Sequence, residues 1–212
     1  MKKRIRKKTI IIIGIVSFVL IALSVAITLF ILNKDDNKKE PEKVEETKKL
    51  DEMTNYDYFL EEDATEYYKS LYKELKEVLN KEEINDEEYA KVISKLFVTD
   101  LFTLDNKITS SDIGGLQFMY DDFKEDFINI AKTTLYSSVE SNIYKDRDQK
   151  LPIVSSVEVT SVENSTFNYN NEDYSSYNTS VNITYQEDLG YPTTYDLSLI
   201  KNDKYIQVVS GE

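Results

Sequence analysis

The chain of 212 residues has no cysteine and no histidine. Their absence excludes Cys/His nucleophile pairs, Ser-His-Asp triads and zinc sites built on thiolate and imidazole. A bacterial lipid anchor is excluded as well, because it needs a cysteine thiol. No disulfide can staple the fold, so a packed core has to hold it. Tryptophan is absent, and there are only five glycines and three prolines. With glycine this scarce, the adjacent pair Gly114-Gly115 marks a place where backbone angles or close packing forbid a side chain.

Charge is missing along one stretch. Ile10 to Leu32 is a run of 23 residues with no charged side chain, preceded by Lys2, Lys3, Arg4, Arg6, Lys7 and Lys8. At about 1.5 Å per residue it makes a helix of roughly 35 Å, enough to cross a hydrocarbon core of about 30 Å. A cleaved signal peptide shares the basic start. The run is far longer than a signal's apolar region, no small-x-small site precedes Asn33, and charge resumes at Lys34, so an uncleaved transmembrane anchor is expected. Its single Gly14 offers no G-x-x-x-G dimer motif, so it reads as a tether.

Up to Lys49 there are six basic residues on each side of the span, but only those after it are interleaved with acids, among them Asp35, Asp36, Glu40 and Glu42. The unbroken cluster therefore sets residues 1–9 as a cytoplasmic tail and everything after Leu32 as extracytoplasmic. Residues 33–53, charged and containing Pro41, have the composition of a linker, which as a coil would reach about 25 Å. The abundance of Lys, Asn, Ile and Tyr matches the codon bias of an AT-rich bacterium. The expected setting is the cell membrane of a Gram-positive organism, with the N-x-[ST] sites at Asn164, Asn178 and Asn182 coincidental.

Beyond residue 32 there are 39 acidic and 20 basic residues, the six basic ones before it being subtracted from 26. This excess disfavours nucleic acid and anionic lipid as partners of the outer part; a basic protein patch or divalent cations would suit it better, and first of all it reads as a solvated surface kept soluble by its charge. About 160 residues suffice for an independent core, since a domain near this size buries about 70% of its unfolded surface.

Apolar residues at helical spacing predict three helices, at about 56–80, 86–102 and 115–143. The second starts with a capping box, Asn85 with Glu88, and the third has the longest stripe, from Leu116 to Val139, which predicts it to be the main core helix. After a polar loop the period changes to two. Tyr177, Thr179, Val181, Ile183 and Tyr185 alternate with polar residues, and strands are predicted at about 154–163, 176–186, 193–200 and 204–209 with a turn at Asn202-Asp203. Helices followed by closely linked strands indicate an α+β domain over 54–212: helices on an antiparallel sheet.

That order, ending in Tyr195-Asp-Leu-Ser-Leu-Ile-Lys-Asn-Asp-Lys-Tyr-Ile-Gln-Val-Val209, resembles the nuclear transport factor 2-like cone fold. Lys204, Tyr205 and Ile206 stand where that superfamily has a Lys-aromatic-Ile-type strand, with Tyr where Trp is commoner. Basic tail, single span, linker and such a domain together are similar to the inner-membrane scaffold subunit of type IV secretion and conjugation machines. The resemblance implies a non-catalytic role in assembly through protein contacts, with other envelope proteins or with itself, and it transfers no contact residue.

Candidate chemistry is thin. Ser70-Leu71-Tyr72-Lys73 fits S-x-x-K, the motif of penicillin-binding enzymes, but lies on an amphipathic helix with no K-[ST]-G elsewhere. Asp121, Asp122, Glu125 and Asp126 could attract a divalent cation, yet their spacing describes a solvated helix face. The Asp105–Asp112 loop fails the EF-hand pattern, and Asp146, Asp148 and Glu172-Asp173 read as loop acids. A cone-fold acid/base enzyme would need a carboxylate on an inward strand face; Glu158 and Asp196 fall on the opposite face. No catalytic, cofactor or metal residue is therefore expected. Asp112, Gly114, Gly115 and Gln117 form a turn or a contact site, and Tyr169, Tyr174 and Tyr191, near turns, are candidate surface tyrosines. Three functions remain: an interaction module, a sensor domain for a small molecule or wall polymer, and an acid/base enzyme.

Overall fold

Thr65 and Asn85 start the two helices on which the domain is built. The Thr65 hydroxyl accepts from Tyr68 N at 3.1 Å and opens α1, Glu66–Leu79; the side-chain Oδ1 of Asn85 accepts from Glu88 N at 3.0 Å and opens α2, Asp86–Phe102. Each cap satisfies an amide that the first helical turn leaves free, and the acids beside it, Glu66 in α1 and Asp86 to Glu88 in α2, favour the positive end of the helix. The computed structural model describes residues 48–212. The tail, the apolar run Ile10–Leu32 and most of the expected linker lie outside the described residues. Among those described, no helix is long and apolar enough to cross a membrane.

Before the helices comes a small antiparallel hairpin of β1, Lys49–Met53, and β2, Tyr58–Glu61. This differs from the sequence reading, which gave residues up to 53 to the linker and began a helix near 56. Tyr58 and Leu60 are buried while Phe59 and Glu61 are half-exposed, a period of two that fixes this short segment as a strand. The hairpin is tied to the helices through Tyr72, whose hydroxyl donates to Tyr58 O at 2.9 Å, and through the Tyr58 and Tyr89 hydroxyls 2.7 Å apart.

The sheet has four antiparallel strands in the order β3-β4-β5-β6: Val154–Tyr169, Glu172–Tyr185, Thr194–Asn202 and Tyr205–Gly211. The alternation expected in β4 is present, with Tyr177, Thr179, Val181 and Ile183 buried and Asn178, Asn182 and Thr184 exposed. The β5–β6 turn lies one residue later than expected, at Asp203-Lys204, with Asp203 at φ 54°. Two features of β3 and β4 were not anticipated. Asn170 and Asn171, with φ of 52° and 65°, form a tight two-residue turn of the kind whose twist suits a hairpin. The hairpin also outruns the sheet: β5 pairs no further than Ser176 with Ile200, so Glu172–Ser175 and their β3 partners project past it.

Helix α2 lies at the centre, between α1 and the sheet. Of its 17 residues 11 are buried, including Ile93, Leu96, Phe97 and Val98 with no exposed surface. Each such aliphatic or aromatic side chain contributes about 1.5–3 kcal/mol through its removal from water. A helix buried nearly all round needs its polar groups paired. Ser94 meets this by donating to Ala90 O at 2.8 Å and bonding the Thr179 hydroxyl of β4 at 2.9 Å.

The third helix corrects the expectation most. Instead of spanning 115–143, it is α3, Asp121–Thr133, preceded by a 3-10 turn at Leu116–Phe118, and only Ala131 along it is buried. It is not the main core helix. It stops where Thr133 and Thr134 turn their hydroxyls onto carbonyls of the preceding turn, at 2.9 Å for Thr133 to Asn129 O and 2.7 Å for Thr134 to Ile130 O. Beyond them Tyr136 and Val139 are buried outside a helix, which is why the apolar period runs on past the helix end.

Candidate functional site

Two places on the domain combine features that bare packing does not require. The first is a polar cavity between β2, the C-terminal half of α2 and the loop that follows. Its anchor is Asp100 on α2, which takes Lys107 Nζ on one carboxylate oxygen and the Gly115 amide on the other, both at 2.6 Å. Lys107 is only 5% exposed, so its ammonium depends on this carboxylate. The glycine pair allows the close approach. A Cβ on Gly114 would run into the Asp100 backbone, and Gly115 sits at φ +82° with the Phe97 ring 2.8 Å from where its Cβ would be.

The loop around the cavity is tied down by backbone carbonyls. Arg147 donates to Lys107 O at 2.8 Å, Asp105 O at 2.6 Å and Glu140 O at 3.1 Å. Tyr136 accepts from Gly114 N at 3.0 Å and donates to Leu101 O at 2.8 Å. Gln117 closes the other side, accepting from Phe59 N and donating to the Tyr68 hydroxyl, each at 3.0 Å. The space, open to solvent on one side, is about 110 Å³, with Glu61, Asp100, Asn106, Lys107, Asp112 and Gln117 among its walls beside the apolar Phe59, Ile113 and Leu116. It would hold on the order of three or four waters or one very small polar molecule. Asn106 Oδ1 is buried there without a hydrogen-bond partner among the described residues.

The charges of this cavity oppose one another. Burial, and then the negative charge of Asp100, push Glu61 up to about 7, with Lys107 pulling the other way. Burial alone would lower the pKa of Lys107, but Asp100 and Tyr136 more than reverse this and the ammonium stays charged. Burial likewise raises Asp63 and Tyr68. Glu61 can thus exchange a proton near neutrality, as a general acid or base must. At about 110 Å³ the cavity is nevertheless too small for a drug-sized apolar ligand.

The second place is the exposed side of α3 and the projecting tip of the β3–β4 hairpin. Phe123 packs against Phe167 and Tyr169, with ring centroids 6.1 and 4.9 Å away, and Tyr120 meets Tyr169 and Tyr174 at 6.3 and 6.4 Å. All five rings remain partly exposed. On α3 Ile130 is 62% exposed, and Asp121, Asp122, Glu125 and Asp126 face solvent. Tyr174 donates to Glu172 at 2.9 Å, and that bond, followed by one to Tyr120, pushes its hydroxyl up to about 12.

The residues singled out by sequence divide between these places. Asp112, Gly114 and Gln117 line the cavity and Gly115 braces it, whereas Tyr169 and Tyr174 belong to the aromatic tip. Tyr191 instead neighbours Tyr185, with centroids 6.3 Å apart. Ser70 donates to Tyr67 O at 2.6 Å while Lys73, 80% exposed, faces Glu77, so the S-x-x-K residues serve the helix. Asp121 pairs with Lys124 at 2.7 Å, Asp146 and Asp148 are exposed, and among the described residues no group of carboxylates could hold a metal ion. Glu158 and Asp196 are exposed. Sequence reasoning missed Glu61, Asp100, Asn106, Lys107 and Arg147; the glycine pair was the one signal that led near them. No protein family, curated protein or solved structure matches this chain.

Proposed function

We propose that the chain is a membrane-anchored, non-catalytic interaction module whose extracytoplasmic domain scaffolds other envelope proteins, in a machine of the conjugation or secretion type. The observation that carries this reading is the aromatic and acidic face of α3 and the hairpin tip. It brings together five partly exposed rings, Tyr120 and Phe123 at the start of α3 and Phe167, Tyr169 and Tyr174 at the projecting hairpin tip. Such amphipathic rings supply contact area at low entropic cost. A second observation agrees: β3 is an outer strand of 16 residues whose first half is broken by two bulges and bonded by the Tyr67 hydroxyl at Val157, while its far part, Val162–Tyr169, has neither Lys nor Pro nor a bulge. The uncharged run Ile10–Leu32, the basic cluster before it and the lack of cysteine and histidine in the chain support the anchor, the orientation and the absence of common hydrolytic chemistry. A cone-like lineage remains part of the proposal through the helices-then-sheet order alone.

The polar cavity favours the second reading, a sensor for a very small polar ligand, because of the unpartnered Asn106 Oδ1 and the near-neutral Glu61. Photocrosslinkers placed at Tyr169, Tyr174 and Tyr191 in living cells test the leading reading. A defined protein adduct from the first two positions is expected, and monomer alone at every position would count against it. Protease shaving of intact cells is expected to digest residues 51–212, and their protection would reverse the orientation.

A further inference from the structure

We infer that the face formed by α3 and the tip of the β3–β4 hairpin docks a Lys- and Arg-rich segment of a partner protein. The inference rests on the interaction-module reading and adds the chemistry of the partner. The whole hairpin from Val154 to Tyr185 contains no Lys or Arg and carries Glu158, Glu163, Glu172 and Asp173. Four acids follow on the first two turns of α3, where Lys124 is occupied by Asp121. The aromatic cluster thus has Glu172 and Asp173 at the hairpin tip and the acids of α3 beside it, with Lys124 next to Phe123 and paired to Asp121. A ring face attracts a cation through its quadrupole, and nearby carboxylates strengthen that preference and orient the approach.

Other occupants fit less well. A second copy of this chain would bring two acidic faces together, since residues 48–212 hold 33 acidic and 16 basic residues. Anionic lipid and anionic wall polymer are repelled for the same reason. A neutral saccharide could stack on the rings but would leave the carboxylates unused. The rings also fasten the hairpin to α3, which explains why they touch one another; it does not explain why all five stay partly exposed beside so many carboxylates.

The test uses the full-length chain in detergent micelles and a fluorescent peptide of alternating Lys and Gly, with a Glu-Gly peptide and a neutral N-acetylglucosamine oligomer as comparisons. The Lys-Gly peptide is expected to bind roughly ten-fold more tightly than the Glu-Gly peptide and to weaken as salt is raised. The double variants Phe167→Ser with Tyr169→Ser, and Glu172→Gln with Asp173→Asn, are each expected to lose about five-fold or more of that binding. Both alter exposed or half-exposed positions, and the second leaves the ring cluster intact, so unchanged thermal unfolding of at least the charge variant keeps the comparison meaningful. Equal binding by both variants, or binding of the saccharide and not the peptide, would overturn the inference. A specific adduct from Tyr169 in cells, together with no preference for the cationic peptide, would overturn the cationic partner and leave the module reading intact. Absence of both would remove the two together.

Discussion

Helices α2 and α3 have apolar stripes of similar promise in sequence and opposite fates in the fold. Of the 17 residues of α2 11 are buried, against one of the 13 in α3. Helix α2 meets α1 on one side and the sheet on the other, so its stripe is covered all round. Helix α3 leans on the core through Ala131 and through Phe127, whose ring lies 5.6 Å from that of Phe97, and leaves Phe123 and Ile130 partly or largely to solvent. A stripe therefore states how much apolar surface an element offers and not what will cover it. Where the chain itself does not complete the cover, surface remains for a partner.

The contrast can be broken or sharpened in stability measurements, starting with its strongest side. Replacing Phe97 by Ala should cost about 3–5 kcal/mol in denaturant unfolding, because the ring is fully buried and its neighbours can close the void only in part. A cost near that of a surface change would show that α2 is not the centre of the core. Asp100→Ala comes next, at about 3 kcal/mol, since it leaves the buried Lys107 ammonium and the Gly115 amide without their carboxylate.

Glu61 gives a smaller effect of opposite sign. Its folded-state pKa near 7 exceeds the ordinary 4.5, so the folded domain holds a proton that the unfolded chain releases. Stability attributable to this group is then complete below pH 4.5 and is lost as pH rises towards 7. Glu61→Gln should leave thermal stability unchanged at pH 4 and raise it at pH 8, by about 1–2 kcal/mol once screening of its exposed part is allowed for. A variant less stable than the parent at pH 8 would mean that the charged carboxylate is needed there. Ile130→Ser on α3 should have the least effect, below about 0.5 kcal/mol, as expected for a surface position. A loss of 2 kcal/mol or more would place Ile130 in the core and erase the contrast.

What could be read from sequence followed from local signals that the fold had no reason to override. The Asn85 cap with Glu88, the alternation of Tyr177 to Ile183 and the succession of helices and strands were all legible, because each is a contact within a few residues or a period kept over many. The β1–β2 hairpin was not, since Leu60 fits a helical stripe with Ala64 and Tyr67 as well as a strand of four residues. The end of α3 was hidden by Leu135, Tyr136 and Val139, which continue the apolar period although Thr133 and Thr134 have already closed the helix. At the cavity the adjacent glycines pointed to tight backbone, but nothing local joins Asp100 to Lys107 or brings Glu61 near either. The Asn170-Asn171 turn was available in the sequence, both residues being tolerant of positive φ, and its neglect concealed the length of the hairpin.

Amide hydrogen exchange on the full-length chain, measured in the membranes to which the proposed anchor would attach it and again after purification, bears most directly on the proposed docking face. Exchange through α2 should be equally slow in both, set by the core. If the face docks a partner as proposed, exchange in α3 and in Phe167–Tyr174 should be slow in the membranes and faster in the purified protein. The same exchange rates for α3 and the hairpin tip in both preparations would contradict a docking role for this face.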